Sequence, residues 1–352
     1  MRSIDRATVL IVAACIACAC GPKHTAKSTV PTPQAVDAGL RDERGRFREI
    51  LCAVLEARKD TLPDYRPCEQ SLRRIDDEPA ATGKPVDLGP SKRHLIAALV
   101  PGIGYTCFEK WLEPPGTATA HARQFGYDLQ IMKVDALSGT ATNARQIRDA
   151  IMATPLDASG PRFVLIGYSK GAPDILDAVV TYPEIRSRVA AVVSLAGAVA
   201  GSALANDSTQ YQADMLRHFP GATCDSGDGG AVEALRPAIR QAWLEQHPLP
   251  KDVRFYSLAT FPQPEHISSI LEGSWKKLAK LDTRNDSQMI FYDELIPGST
   301  LMGYLDADHW AIAVPVARSH PFIGSVFVTQ NAYPREALLE ALLRFLEEDL
   351  QR

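Results

Sequence analysis

The sequence predicts an α/β fold, in which a mainly parallel sheet is flanked by helices. A continuous apolar run at residues 95–100 and mainly apolar segments at 162–166 and 190–195 are typical of strands that are buried on both faces. Segments with helical periodicity separate these runs, and an alternation of strands and helices favours parallel pairing. The main domain is therefore expected to span residues 91–352.

The composition is that of an ordinary globular protein, and it argues against nucleic acid as a partner. The 352 residues are 45% hydrophobic and 23% charged, with a formal net charge of -4. A chain of this length can form one large domain with smaller additions. Because the charge balance is acidic, there is no excess of cations to neutralise phosphates.

Residues 1–20 are predicted to be a lipoprotein-type signal peptide. An almost wholly apolar stretch at 7–19 is too short to span a bilayer comfortably, and it ends in small residues and Cys20. This ending resembles the lipobox of bacterial lipoproteins, so Cys20 is the expected lipidation site, with Cys15 and Cys18 as competing positions. A plain secretory signal or an uncleaved anchor is the alternative. The chain is accordingly expected to be exported and anchored in the bacterial cell envelope, on the periplasmic or outer-membrane face.

A tether and a small helical appendage are predicted between the signal and the main domain. Residues 21–41 are rich in Pro, Thr, Ala and Lys and have no hydrophobic period, which is typical of a flexible tether. Residues 42–90 begin with apolar residues at helical spacing, among them Phe47, Ile50 and Leu51, and end in a linker with several prolines. No chemistry is expected in this appendage.

The cysteines agree with export. Of the seven cysteines, four lie outside the signal, and an even number in an oxidising compartment suggests two disulfides. Cys52 and Cys68 are the favoured local pair, which leaves Cys107 and Cys224. Four buried free thiols are the alternative.

The turn Gly167-Tyr168-Ser169-Lys170-Gly171 follows an apolar run and precedes a helical stretch. Its two outer glycines let a strand and a helix approach closely while Ser169 lies at the apex, which is the nucleophile-elbow pattern. The pattern predicts that Ser169 is a catalytic nucleophile. The side chain of Lys170 is expected to point into solvent rather than to favour an anionic substrate.

A serine nucleophile needs a base, usually a histidine that a carboxylate orients. His309 is the best placed histidine after Ser169, because it follows the last predicted strand and precedes the closing helix. The other histidines of this part of the chain fall in a predicted cap, before the last main strand or in a polar turn: His218, His247, His266 and His320.

Asp286 is the favoured acid, and Asp293 and Glu265 are left open as alternatives. Asp286 stands just before a strand-like segment at residues 288–292, and Asp293 follows that segment. Glu265 comes after a predicted strand at 253–259. Asp308 adjoins the histidine, and neighbouring side chains point in directions too different for it to orient that ring.

Acyl transfer also needs donors for the developing oxyanion. One is expected from the backbone N–H of Lys170 and the other from Ile103, in the loop Pro101-Gly102-Ile103-Gly104 after the first main strand. A dinucleotide fingerprint is the competing interpretation of this loop, but it needs a third glycine where Cys107 stands. No cofactor and no metal site are expected.

Taken together, the motifs resemble those of the α/β-hydrolase superfamily, and more narrowly those of bacterial lipases and carboxylesterases. The resemblance covers about residues 95–350 and implies an α/β-hydrolase fold with a helical cap at about 200–250. It also implies that a Ser169–Asp286–His309 triad hydrolyses small-molecule or lipid esters through an acyl-enzyme, without a cofactor. The matching segments are Val100-Pro101-Gly102-Ile103-Gly104, the elbow turn, Val193-Ser194-Leu195-Ala196-Gly197, Asn285-Asp286-Ser287-Gln288 and Asp308-His309-Trp310.

Other functions are compatible with the same motifs. Thioesterase, amidase or polyester depolymerase activity would use the same triad. A catalytically silent hydrolase fold that serves as a binding protein in the envelope is the alternative from another class.

Overall fold

The computed structural model describes residues 39–75, 77–93, 95–112, 117–156, 162–208 and 227–351. The predicted signal peptide, nearly all of the predicted tether and the middle of the predicted cap lie outside these residues. Cys20, His218 and Cys224 are among the residues outside. Among the residues that the structure describes, no helix is long and apolar enough to cross a membrane.

A mainly parallel sheet of eight strands forms the centre of the described structure. The strands are β1 (Arg41–Asp42), β2 (Leu72–Arg73), β3 (Leu95–Val100), β4 (Asp128–Ile131), β5 (Arg162–Tyr168), β6 (Val189–Leu195), β7 (Arg254–Thr260) and β8 (Thr300–Leu305). Their order in the sheet is β1-β8-β7-β6-β5-β3-β4, and β2 pairs antiparallel with β8. The strand β5 pairs with β3 on one side and β6 on the other, which explains its uninterrupted apolar run. The predicted fold class is confirmed.

Helices cover both faces of the sheet. Alternate residues of β5 point to opposite faces, so Val164 and Ile166 enter one core and Phe163 and Leu165 enter the other. The first core is covered by α1 (Arg44–Arg58), α4 (Thr117–Gln124) and α12 (Arg335–Asp349), and the second by α5 (Thr140–Ala153) and α6 (Gly171–Thr181). The remaining α-helices are α2 (Cys68–Ser71), α3 (Tyr105–Leu112), α7 (Ala231–Ala234), α8 (Pro237–Gln246), α9 (Glu272–Leu278), α10 (Val316–Ser319) and α11 (Pro321–Val326).

The N-terminal helical segment packs directly on the main domain. Apolar residues of α1, including Phe47 and Leu51, belong to the same core as the inward-facing residues of the central strands. The short strands β1 and β2, which flank this segment, both pair with β8. A disulfide joins Cys52 to Cys68, as the sequence predicts, with their Cα atoms 5.0 Å apart. Cys107 is also in a disulfide; because Cys224 lies outside the described residues, its pairing with Cys107 stays a prediction.

The segment predicted as a strand at 288–292 forms a tight turn instead. An isolated antiparallel bridge links Asn285 to Ile290, and a 3-10 helix follows at Phe291–Glu294. Ser287 has a φ of 81°, in the left-handed region, so the chain reverses before it can extend. Apolar residues in this segment are buried by the turn, which is why they resemble a strand in the sequence. Further 3-10 helices lie at Pro183–Arg188, Ala203–Asn206, Pro264–His266 and Ser269–Leu271.

Candidate active site

Ser169 stands at the end of β5, in the turn that leads into α6. Its φ is 56°, a left-handed conformation that is uncommon for a residue other than glycine and that marks strained functional turns. The two flanking glycines are required by close packing. A Cβ at Gly167 would lie 2.4 Å from the Cα of Ala172, and a Cβ at Gly171 would lie 2.0 Å from the carbonyl oxygen of Val100. The strand and the helix therefore approach as the elbow pattern predicts.

The structure brings His309 and Asp286 together. His309 lies in the turn after β8, and its Nδ1 is 2.5 Å from Asp286 Oδ2. The backbone N–H of His309 also donates to the carbonyl oxygen of Asp286, at 2.9 Å. Both side chains are buried. Two contacts between the same two residues hold the imidazole in one orientation.

The other candidate acids do not contact this imidazole. The side chain of Asp293 accepts no hydrogen bond from the described residues, and burial raises its pKa to about 8. Glu265 is exposed on a 3-10 helix. The buried carboxylate of Asp308 accepts from the backbone N–H groups of Ser268 and Ala311, so it shapes the turn that carries the histidine.

The carboxylate of Asp286 is surrounded by donors. Its Oδ1 accepts from the backbone N–H groups of Gln288 at 2.8 Å and Met289 at 2.7 Å. Its Oδ2 accepts from the hydroxyl of Thr260 at 3.0 Å, in addition to the contact with His309. Together with the contact to His309, these donors fix the carboxylate in the orientation that faces the imidazole.

A second buried carboxyl group, Glu294, lies behind this pair. Its Oε2 accepts from the backbone N–H of Thr260 at 2.8 Å and is 3.5 Å from the hydroxyl of the same residue. Burial and the negative charge of Asp286 raise the pKa of Glu294 well above its usual range. Because a neutral Glu294 does not compete strongly for the hydroxyl proton, Thr260 can donate to Asp286. Sequence reasoning missed both residues, since Thr260 ends β7, Glu294 lies in the 3-10 helix before β8, and neither belongs to a motif.

Tyr168 makes another contact with His309 that the sequence did not reveal. Its ring stacks on the imidazole of His309, with 4.9 Å between the ring centroids, and its hydroxyl donates to the carbonyl oxygen of His309 at 2.8 Å. Burial and the nearby charge of Asp286 raise the pKa of the phenol, so it remains a donor. In the sequence, a role for Tyr168 was indicated only by its position next to Ser169 in the elbow motif.

The opposite side of Ser169 is formed by the loop after β3. A Cβ at Gly102 would lie 2.7 Å from the Cβ of Ser169 and 3.1 Å from its Oγ, so the loop backbone passes directly beside the hydroxyl. Within the described part of the chain, the backbone N–H groups of Ile103 and Lys170 donate no hydrogen bond. The Oγ of Ser169 has no hydrogen-bond partner there either. Two free N–H groups beside a serine hydroxyl can bind an anionic oxygen.

The prediction that the Lys170 side chain points into solvent is wrong. The residue Lys170 is only 1% exposed. Its ammonium group lies 2.7 and 2.9 Å from the two carboxylate oxygens of Asp174, one turn along α6. Asn143 of α5 donates to the same carboxylate at 2.7 Å. Burial raises the pKa of Asp174, and the ammonium group opposes that increase. Because α5 and α6 pack face to face, the side chain at this position is enclosed, and the ion pair anchors the turn that carries the Lys170 N–H.

The sheet order, the serine elbow after β5 and the histidine after β8 define the α/β-hydrolase class. Solved structures agree with this assignment: the metagenomic carboxyl esterase MGS0156 is 38% identical, with a TM-score of 0.84 over 91% of this chain and 96% of that chain. The chain therefore belongs to the α/β-hydrolase family of this esterase. The mature form of Bacillus licheniformis lipase BlEst2, at 18% identity and a TM-score of 0.55 over 75% of this chain and 96% of that one, shares the fold. No family model and no curated protein sequence matched.

Proposed function

We propose that this protein is a serine hydrolase that cleaves carboxylic esters through an acyl-enzyme on Ser169. The observation that carries the proposal is the 2.5 Å contact between His309 Nδ1 and Asp286 Oδ2. It is joined by an elbow serine near two backbone N–H groups, those of Ile103 and Lys170, that donate no hydrogen bond to the described residues. Ester substrates are favoured over other acyl compounds because the family member at 38% identity is a carboxyl esterase.

In the proposed first half-reaction, Ser169 Oγ attacks the ester carbonyl carbon while His309 Nε2 takes the hydroxyl proton. The carbonyl oxygen becomes negative and is stabilised by the N–H groups of Ile103 and Lys170. One such donor is typically worth about 10²–10³ in rate. Asp286 stabilises the imidazolium, which then gives its proton to the leaving alkoxide as the carbon–oxygen bond breaks.

In the second half-reaction, water replaces the alcohol as the nucleophile. His309 accepts a proton from the water as its oxygen attacks the acyl carbon, and the same two N–H groups hold the second oxyanion. When this intermediate collapses, the bond to Ser169 Oγ breaks, and the serine recovers its proton from His309. The carboxylic acid leaves and the free enzyme is restored.

The kinetic test replaces Ser169 with alanine and measures hydrolysis of p-nitrophenyl acetate. We expect Ser169→Ala to reduce kcat by about 10⁴-fold or more, because the nucleophile of the acyl-enzyme is lost. Ser274→Ala is the matched control, since the hydroxyl of this half-buried serine on α9 donates to the carbonyl oxygen of Leu271, away from the candidate site. Equal activity of Ser169→Ala and the wild type would overturn the proposal.

We also propose that the protein is exported and lipid-anchored in the bacterial cell envelope through Cys20. The short apolar stretch before this cysteine supports the proposal, and so does the disulfide between Cys52 and Cys68, because disulfides persist in oxidising compartments. The test is incorporation of a clickable fatty acid by cells that produce the full chain. Label should be lost in Cys20→Ala and kept in Cys18→Ala; the absence of label from the wild-type chain contradicts the proposal.

A further inference from the structure

The N-terminal helical segment reaches the turn on which His309 lies. Its strand β2 pairs antiparallel with β8, and Leu72 stands opposite Leu305, the last residue of β8. Because His309 follows Leu305 closely along the chain, β2 lies at the end of the sheet that carries the base. Residues 66–73, which comprise α2, β2 and the two residues before them, are called the bracing segment below.

The bracing segment binds both backbone groups of Asp306, the residue directly after β8. The N–H of Asp306 donates to the carbonyl oxygen of Ser71 at 3.0 Å, and the hydroxyl of Tyr333 donates to the same oxygen at 2.8 Å. The guanidinium of Arg66 donates to the carbonyl oxygen of Asp306 at 2.8 Å and to that of Ala332 at 2.7 Å. Arg66 therefore ties the start of this turn to the chain before α12.

The side chain of Asp306 is bonded from the other side of the turn. Its Oδ1 accepts from the backbone N–H of Gln263 at 2.7 Å, and its Oδ2 accepts from the side-chain amide of the same residue at 3.2 Å. Gln263 belongs to the loop after β7. The turn that carries His309 is thus held at its first residue between this loop and the bracing segment.

We propose that the bracing segment fixes the position of His309 during catalysis, with Arg66 as a positioning residue. The inference rests on the proposed function, because it assigns a task in that reaction to a segment outside the triad. The base has to stay within hydrogen-bond reach of the serine hydroxyl. A displacement of about 1 Å caused far from the chemistry can reduce the rate by about 10²-fold. The disulfide between Cys52 and Cys68 adds a covalent link from the bracing segment to α1, which is packed in the core.

The test compares Arg66→Ala with the matched control Arg188→Ala. Both arginines are half-buried and donate to backbone carbonyl oxygens, which for Arg188 are those of Ile151 and Thr154 at 3.1 and 2.8 Å. Arg188 lies just before β6, at the opposite end of the sheet from the candidate site. We expect Arg66→Ala to lower kcat for p-nitrophenyl acetate by about 10- to 100-fold with KM unchanged, and Arg188→Ala to leave both constants unchanged.

A second readout separates a positioning role from a role in folding. Each variant is treated with a fluorophosphonate, and both the rate of labelling and the final labelled fraction of the protein are measured. A displaced base slows the labelling of Arg66→Ala by about tenfold or more while the final fraction equals that of the wild type. Misfolded protein would instead lower the final fraction.

Arg66→Lys serves if Arg66→Ala does not fold. An ammonium group keeps the charge but lacks the planar fork that bonds two carbonyl oxygens, so its labelling rate should lie between those of the wild type and Arg66→Ala. Wild-type labelling rates in the folded Arg66 variants overturn the inference, and so does a lower final fraction at an unchanged rate. A wild-type protein that is not labelled at all would instead contradict the proposed function.

Discussion

The two sides of Ser169 are built in opposite ways. On the side of the base, the carboxylate of Asp286 accepts four hydrogen bonds, one of them from His309, and the imidazole is held further by Tyr168. On the side of the oxyanion loop, the N–H groups of Ile103 and Lys170 donate no hydrogen bond within the described residues. One side is saturated with partners and the other is open.

This difference follows from what each group does during the proposed reaction. The acid and the base must keep one orientation through both half-reactions, so contacts made in the resting enzyme help them. A donor for the oxyanion is needed only when negative charge develops. If that donor were already bonded, the bond would have to break first, which would reduce its contribution to the transition state.

The saturated side is tested most severely by Asp286→Asn, for which we expect a fall in kcat of about 10³–10⁴-fold. The N–H groups of Gln288 and Met289 need an acceptor, so the amide oxygen stays with them and the amide nitrogen faces His309. An amide donor in that position favours the wrong tautomer of the imidazole. Steady-state kinetics with p-nitrophenyl acetate measure the effect.

Asp293→Asn is the matched control for this variant, because it makes the same change at a buried carboxyl group that does not contact His309. Its kcat should stay within about twofold of the wild type, as is usual for a change away from the reacting groups. If both variants lost activity equally, the assignment of Asp286 as the acid would fail.

The open side is tested by Gly102→Ala, with an expected fall in kcat of about 10²–10³-fold. The added Cβ would lie 2.7 Å from the Cβ of Ser169, so the loop that carries the Ile103 N–H has to move away. Gly273→Ala is the control, since a Cβ there meets nothing within 4 Å. Retention of full activity in Gly102→Ala would show that the loop takes no part in the oxyanion site.

A smaller effect is expected from Thr260→Val, which removes the hydroxyl that donates to Asp286 at 3.0 Å. Hydrogen bonds to charged groups are worth about 1.5–3 kcal/mol, so kcat should fall by about 10- to 150-fold, with KM unchanged. Thr260→Ser keeps the hydroxyl and should recover most of the activity. A loss that Thr260→Ser does not reverse would assign a packing role to this residue instead.

Asp293→Asn is expected to have the smallest effect on activity. It should, however, clearly change how the stability of the protein depends on pH. Burial raises the pKa of Asp293 to about 8 from an ordinary value of 3.8, so in that interval the folded protein holds a proton that the unfolded chain has released. The free energy of unfolding therefore falls as the pH rises, by up to about 1.4 kcal/mol per pH unit from this group. Urea unfolding at about pH 5 and about pH 7.5 should show a smaller loss in Asp293→Asn than in the wild type, because Glu294, whose pKa burial also raises, contributes to both proteins alike; equal losses in the two proteins would contradict the assignment.

Sequence reasoning identified the fold class and the residues that carry local motifs. Strands of a parallel sheet are apolar on both faces, and the elbow needs its glycines at fixed positions, so both features are visible along a single stretch of chain. The chain order then pointed to His309 and Asp286, which the structure brings into contact.

The remaining features depend on contacts between residues that are distant in the sequence. Glu294 and Thr260 meet only because the turn after Asp286 folds against the end of β7. Whether Lys170 is enclosed or exposed depends on how α5 packs on α6, and nothing near the elbow motif specifies that packing. The turn at 288–292 was mistaken for a strand because burial, rather than extension, explains its apolar residues.

The most direct measurement is the position of a covalent label. The wild-type protein is treated with a fluorophosphonate, which reacts with an activated serine, and the modified peptide is identified by mass spectrometry. Ser169 should carry the label, and Ser169→Ala should remain unmodified. A label on another residue, or equal labelling of Ser169→Ala, would contradict the claim that Ser169 is the nucleophile.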